Sequence, residues 1–205
     1  MNKLITPEQE FENPNDFYTV EEANRYNSNS GMKKTQKELT QIALELSKPI
    51  LNNKNINILD IGCGTGFSLE YLRDLGFTNL KGIDPSKEMI KLAKEKNLDV
   101  QEAGFENFKK IKETYNLIIS ISALQWPIAN KEHLELKNLV KKIGKELFRL
   151  LEHNGVCVIQ FYPATEHILE DVISSFKRSN FITELYIHNS DSLKKKKTFL
   201  ILRKH

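Results

Sequence analysis

The sequence predicts an α/β fold in which helices cover both faces of a mostly parallel sheet and an antiparallel hairpin closes the chain. Three observations carry this. Apolar strand-like runs alternate with helical patterns from Ile58 to Phe161, which requires crossover connections and a covered parallel sheet. Two strand patterns, near 182–187 and 198–202, follow with only residues 190–197 between them, a hairpin spacing. The run Ile58-Leu59-Asp60-Ile61-Gly62-Cys63-Gly64-Thr65-Gly66 stops an apolar strand in an acid and three alternating glycines before a helical pattern begins. Glycines there let backbone approach a bulky ligand without a Cβ in the way, and are expected to leave amides free beside the next helix.

Residues 1–30 are polar and without sustained period, and read as an arm lying on the domain; the boundary is set at 34/35. Leu39, Ile42, Ala43, Leu46 and Ile50 recur at helical spacing. Beyond the glycine turn the pattern gives a helix near 67–75, a strand at 80–84, a helix at 86–96 and a short strand at 98–102. A helix at 105–113 and a strand at 115–121 follow. A helix over 134–152 buries Leu139, Ile143, Leu147 and Leu150 and ends at Asn154-Gly155, a C-terminal stop. A strand at 156–161 precedes a helix with Ile168, Val172 and Phe176 on one face.

With 205 residues the chain suits one domain. A composition of 40% hydrophobic and 28% charged residues is ordinary for a soluble protein, and a net charge of +3 does not by itself mark a nucleic-acid partner. Cys63 and Cys157 form no paired or metal-ligand spacing, and none of the five histidines reads as a ligand, so no metal site is expected. The cysteine usage suits a reducing compartment. No apolar run approaches the roughly 18 residues of a spanning helix, and no signal-peptide core is evident, so no membrane association is expected.

The second strand ends in Asp84, about 20 residues past the turn, where a carboxylate can accept both hydroxyls of a ribose. A dinucleotide site usually reads G-x-G-x-x-G, whereas this loop reads D-x-G-x-G-x-G from Asp60. After the third strand, Glu102 and the following amide can bond an adenine edge, or Glu102 is a solvated strand end. The loop after the fourth strand, Ser120-Ile121-Ser122-Ala123-Leu124-Gln125-Trp126-Pro127, carries no Asp, Glu, His, Lys or Cys from Asn116 to Asn130. It therefore offers no general base, which suits a nucleophile that has no proton to lose, such as the N7 of guanine. Trp126 is either an aromatic face for a cationic base or a core residue. The dense run Lys194, Lys195, Lys196, Lys197 is a solvated loop that discourages edge pairing, a phosphate-binding patch, or both.

The glycine turn with Asp60 and Asp84 resembles the class I S-adenosylmethionine-dependent methyltransferases. The resemblance implies a Rossmann-like, seven-stranded mostly parallel sheet and S-adenosylmethionine (SAM) as cofactor. It implies Asp60 beside the methionine ammonium, Asp84 on the ribose and Glu102 on the adenine amino group. Gly62, Cys63, Gly64, Gly66, Pro85, Met89, Ala103 and Ser120 complete the implied contacts. The segments SISALQW (120–126), QFYP (160–163) and Asp16-Phe17-Tyr18 with Glu22-Ala23-Asn24-Arg25-Tyr26 narrow it. With the lysine run and Phe199-Leu200-Ile201-Leu202, they resemble the eukaryotic small-subunit ribosomal RNA guanine-N7 methyltransferases over nearly the whole chain. In that family Tyr26 belongs to the arm over the cofactor, and Gln125, Trp126 and Tyr162 position the target guanine. Methylation during ribosome biogenesis on a preribosome is then expected. Relatives in larger eukaryotes continue into a lysine-rich tail where this chain stops. A nuclear or nucleolar location is expected, or a cytoplasmic one for an archaeal cousin.

The family also implies a small zinc-binding activator protein as heterodimer partner, with the zinc held by the partner. In the class I strand order the third strand lies at an edge, and Leu98, Asp99, Val100 and Gln101 contain neither proline nor lysine to block strand addition. The alternatives are a small-molecule methyltransferase and a mainly non-catalytic SAM-binding assembly factor.

Overall fold

The computed structural model describes residues 5–51, 53–105, 108, 111–192 and 195–204. The chain begins with three short helices, α1 (Pro7–Glu10), α2 (Pro14–Phe17) and α3 (Val20–Ser28), and a long one, α4 (Ser30–Leu46). Next come β1 (Asn57–Ile61), α5 (Phe67–Asp74), β2 (Asn79–Asp84), α6 (Lys87–Glu95), β3 (Val100–Glu102) and β4 (Tyr115–Ile121). The remainder is α7 (Gln125–Ile128), α8 (His133–Leu150), β5 (Leu151–Phe161), α9 (Glu166–Lys177), β6 (Ile182–His188) and β7 (Lys197–Arg203).

The seven strands form one sheet in the order β3-β2-β1-β4-β5-β7-β6. All neighbours are parallel except those of β7, which runs antiparallel to β5 and to β6. Side chains alternate across the pleat. Ile58, Ile119 and Val158 thus pack under α4 and α5 with Leu39, Ala43 and Leu72. Leu59, Ile118 and Ile159 pack under α8 and α9 with Val140, Leu147 and Phe176. Both faces are covered, as the apolar central strands require, and the carboxyl ends of β1, β2, β4 and β5 meet at one rim.

Five features differ from the sequence reading. The polar arm is helical, because Asn13, Thr19 and Asn29 accept amide hydrogens at the starts of α2, α3 and α4. Helix α4 crosses positions 34 and 35 without a break. The helix expected at 105–113 falls partly on 106, 107, 109 and 110, outside the described residues, and residues 111–114 are not helical. There the Arg149 guanidinium takes the Phe108 and Ile111 carbonyls at 2.9 and 3.0 Å, acceptors that a continuing helix would have used. Asn154-Gly155 does not stop α8. It makes an irregularity inside β5, with Asn154 at φ 62°, between the pairs Tyr115–Leu151 and Leu117–Val156. Strand β3 starts at Val100, not at 98, because Leu98 turns inward onto Gly66, where a Cβ would lie 2.1 Å from its Cδ1.

Candidate active site

The rim at the strand ends is folded by the glycine turn. Gly62 has φ 76°, and a Cβ there would lie 2.2 Å from the Cβ of Ala123, so only glycine lets the β1 turn meet the loop after β4. The turn's amides are spent internally, contrary to the expectation that they stand free. Gly62 and Cys63 both donate to the Ile83 carbonyl at 2.8 and 3.0 Å, and Gly66 donates to Cys63 at 2.9 Å. Gly64 donates to Asp84 Oδ2 at 2.9 Å. A turn with satisfied amides is poorly suited to a pyrophosphate, which needs free donors.

Asp60 and Asp84 are both buried at this rim, 2% and 8% exposed. Burial, then the charge of Asp84, pushes the Asp60 carboxyl up to about 8. Burial also pushes Asp84 up to about 6, against the pull of its bonds from the Ser86 and Gly64 amides. Among the described residues no cation offsets either group. A carboxylate pair so placed stabilises a cationic ligand that supplies the missing charge.

A cavity of about 880 Å³ opens above Asp84, with Asp60 buried behind its wall. Gly62, Cys63, Gly64, Asp84, Pro85 and Met89 form its floor. Tyr26 of α3 lines one side and stacks on Phe67, with centroids 5.5 Å apart and planes at 19°. The far end is walled by Gln125, Trp126 and Tyr162, after β4 and β5. Trp126 packs against Phe17 and Tyr18 of the arm at 5.9 and 5.7 Å, and the arm roofs the cavity with Glu8, Glu12 and Pro14. Asn130 Nδ2 donates to the Gln9 carbonyl at 2.9 Å and Asn15 Nδ2 to the Pro85 carbonyl at 3.0 Å, so the roof is tied to the β4 loop and to β2.

The fold thus brings Tyr26, Gly62, Cys63, Gly64, Asp84, Pro85, Met89, Gln125, Trp126 and Tyr162 to one cavity. Asp60, Gly66, Ala103 and Ser120 are not in its wall; Asp60, Ala103 and Ser120 are buried close to the strand ends. Glu102 is not brought in. It lines a separate shallow groove beside Lys87, Lys91 and Lys94 of α6, where solvent and lysines surround its charge, while Gly104 and Phe105 reach the cavity instead. Leu98 and Val100 point into the core, so only the backbone of β3, with Asp99 and Gln101, is presented outward. Lys194 lies outside the described residues. Lys195 is exposed, and Lys197 donates to the Tyr162 hydroxyl at 2.9 Å, which joins the basic hairpin to the cavity mouth.

The sequence reading missed Glu8, Tyr18, Phe67 and Ser122 as wall residues, and Gln160 behind the wall. Ser122 has φ 57°, a strained conformation for a residue other than glycine. Its hydroxyl donates to Gln160 Oε1 at 2.8 Å, and its carbonyl accepts from Gln125 Nε2 at 2.9 Å. A strand leading into an Asx-free, base-free loop gives no local signal for such a network.

Comparison with known proteins settles the family. A methyltransferase-domain model matches residues 52–200. The 18S rRNA (guanine-N(7))-methyltransferase of Bos taurus is 34% identical over 193 residues, 92% of this chain and 68% of that protein. The probable 18S rRNA (guanine-N(7))-methyltransferase of Dictyostelium discoideum is 31% identical over 194 residues, covering 92% and 67%. This chain belongs to the 18S rRNA (guanine-N(7))-methyltransferase family. It spans about two thirds of the length of those family members. Among solved structures, magnesium protoporphyrin IX methyltransferase from Synechocystis PCC 6803 with bound SAM superposes with a TM-score of 0.64 at 14% identity, covering 100% of each chain, which bears out the class I fold.

Members of this methyltransferase family and fold use SAM, and the residues of this cavity fit it. The unneutralised Asp60–Asp84 pair matches a ligand with an ammonium and a sulfonium. Asp84 keeps lone pairs for ribose hydroxyls after its two amide bonds. Among the described residues no helix is long and apolar enough to cross a membrane.

Proposed function

We propose that this methyltransferase transfers a methyl group to N7 of a guanine in small-subunit ribosomal RNA, as the heterodimeric partner of a small zinc-binding activator in the nucleus. The observation that carries the reading is the continuity of one cavity from the buried Asp84 carboxylate, with Asp60 behind it, to an aromatic wall, Trp126 and Tyr162, beside a loop with no proton acceptor. SAM supplies an electrophilic methyl on sulfur. The N7 lone pair of guanine forms the new C–N bond as the C–S bond breaks and its electrons return to sulfur. No proton moves, so the loop after β4 needs no base.

The chain's own part is placement and charge. Asp84 and Tyr26 hold the donor end, and Trp126 and Tyr162 hold the acceptor end; alignment of this kind supplies roughly 7–11 kcal/mol. The base becomes cationic, and an indole face stabilises a cation by about 0.5–2 kcal/mol. Lys195, Lys196 and Lys197 on the hairpin are placed to take RNA phosphates next to the mouth. Strand β3 supports the partner reading: it lies at the sheet edge, and the Gly82 amide donates to the Asp99 carbonyl, so Val100 turns its own N–H and C=O outward.

The test is mapping N7-methylguanine in small-subunit RNA incubated with SAM and the chain, alone and with the activator. One methylated guanine, with higher yield when the activator is present, is expected. Methylation of small molecules only, or binding to precursor particles with no transfer, would replace this reading.

A further inference from the structure

Two acidic residues of the arm line the cavity, Glu8 and Glu12, and of these Glu12 is exposed to solvent while Glu8 is not. Glu8 lies on α1, is half-buried and lines the cavity at the end walled by Gln125 and Trp126. Its position is fixed. Gln9 Oε1 accepts the Thr6 amide at 3.1 Å to close the start of α1, the Asn130 side chain holds the Gln9 carbonyl, and α1 packs against α7. The carboxylate is close enough to add to the rise of the Tyr18 phenol, whose ring sits 5.7 Å from Trp126. No ion pair within 4 Å engages Glu8 among the described residues. A carboxylate set into an RNA-facing cavity repels phosphates, so its presence needs a ligand that rewards it.

Guanine is such a ligand. Its N1–H and 2-amino groups are adjacent donors with the spacing of a carboxylate's two oxygens, on the edge away from N7, and adenine and the pyrimidines lack that pair. Resting on the guanine reading above, we propose that Glu8 accepts N1–H and the 2-amino group of the target base and thereby selects guanine and orients N7. As N7 is methylated the base gains a positive charge, which strengthens both bonds, so the same contact favours the transition state over the bound substrate. The arm is then a recognition element as well as a roof.

The neighbouring Gln125 offers a rival acceptor, because its Oε1 is buried with no partner among the described residues while its Nε2 is held by the Ser122 carbonyl. The test separates them. Single-turnover methyl transfer would be measured on small-subunit RNA carrying guanine, or inosine, at the methylated position; inosine keeps N7, O6 and N1–H but lacks the 2-amino group. The wild-type chain should prefer guanine roughly tenfold or more, the loss expected for one charged hydrogen bond. Glu8→Gln keeps the size and the α1 position and should bring that preference close to unity with SAM affinity unchanged; Glu8→Ala should do the same. Gln125→Ala should leave the preference in place. A preference that survives Glu8→Gln, or that disappears in Gln125→Ala instead, overturns the assignment. A wild-type chain that methylates no guanine N7 overturns the substrate reading beneath it, a result distinct from either.

Discussion

Affinity for SAM should rise steeply with pH, and Asp60→Asn should abolish the upper part of that rise. Burial chiefly pushes Asp60 up to about 8 and Asp84 up to about 6, against an ordinary carboxyl value of 3.8. The ligand's positive groups favour the ionised pair, so binding below pH 8 releases a proton. One proton released per event changes Kd by about tenfold per pH unit. The expected profile is a Kd that falls roughly a hundredfold from pH 6 to pH 8 and then levels off. Below pH 6 a second proton steepens the slope. The folded, ligand-free chain holds these protons more tightly than the unfolded chain, so its stability falls as pH rises from about 4 towards 8, and SAM offsets that fall. Calorimetric titration in two buffers of different ionisation enthalpy measures both Kd and the protons released. In Asp60→Asn the rise between pH 6 and 8 should disappear while the rise attributed to Asp84 remains. A wild-type Kd that is flat from pH 6 to 8, with no proton release, would refute the claim that a buried carboxylate pair receives the ligand's charge.

Trp126→Ala should lose methyl transfer by a hundredfold or more while still binding SAM, since stacking is worth about 1–3 kcal/mol per base and misplaced atoms add to the loss; equal losses in transfer, SAM binding and melting temperature would make Trp126 a packing residue. Glu102→Pro removes an outward N–H from the exposed edge of β3 without touching the core, and co-purification with the zinc-binding activator should fail while SAM affinity holds; weakened SAM binding with an intact complex would restore Glu102 to the adenine edge and move the partner elsewhere. Replacing Lys195, Lys196 and Lys197 together by Glu should weaken RNA binding and lower the salt slope by about one per lost phosphate contact, which filter binding across a salt series reads out.

What the sequence made legible is what is local. The alternation of β1, β2, β4 and β5 with helices is strong because central parallel strands are apolar on both faces, and the antiparallel end follows from one short loop. Asp60, Gly62 and Asp84 could be read for the same reason: a strand end, a turn and the next strand end lie within 25 residues and fold together. Boundaries governed by competing turn chemistry could not be read. Asn154-Gly155 serves a helix stop and a β-irregularity equally well, and the choice is made by Tyr115 pairing with Leu151 on a neighbouring strand.

The roof of the site was illegible for a different reason. The arm's helices are four to nine residues long, too short for an apolar period, and most of their packing comes from single aromatics, Phe11, Phe17 and Tyr18, spread along a polar run. What fixes them is distant: Gln9 is held by Asn130, Asn15 by Pro85, and Tyr18 meets both Tyr26 and Trp126. The acceptor end of the cavity is therefore assembled by contacts between residues about 70 to 120 positions apart. A charge such as Glu8 gains meaning only once those contacts place α1 against α7 and Glu8 in the cavity wall. The donor end, built by the glycine turn and Asp84 with Tyr26 of α3, should bind SAM even with α1 and α2 displaced, whereas recognition of the base requires α1 and α2 in place. Substitutions that free the arm, such as Asn130→Ala, should accordingly cost more in transfer to RNA than in affinity for SAM.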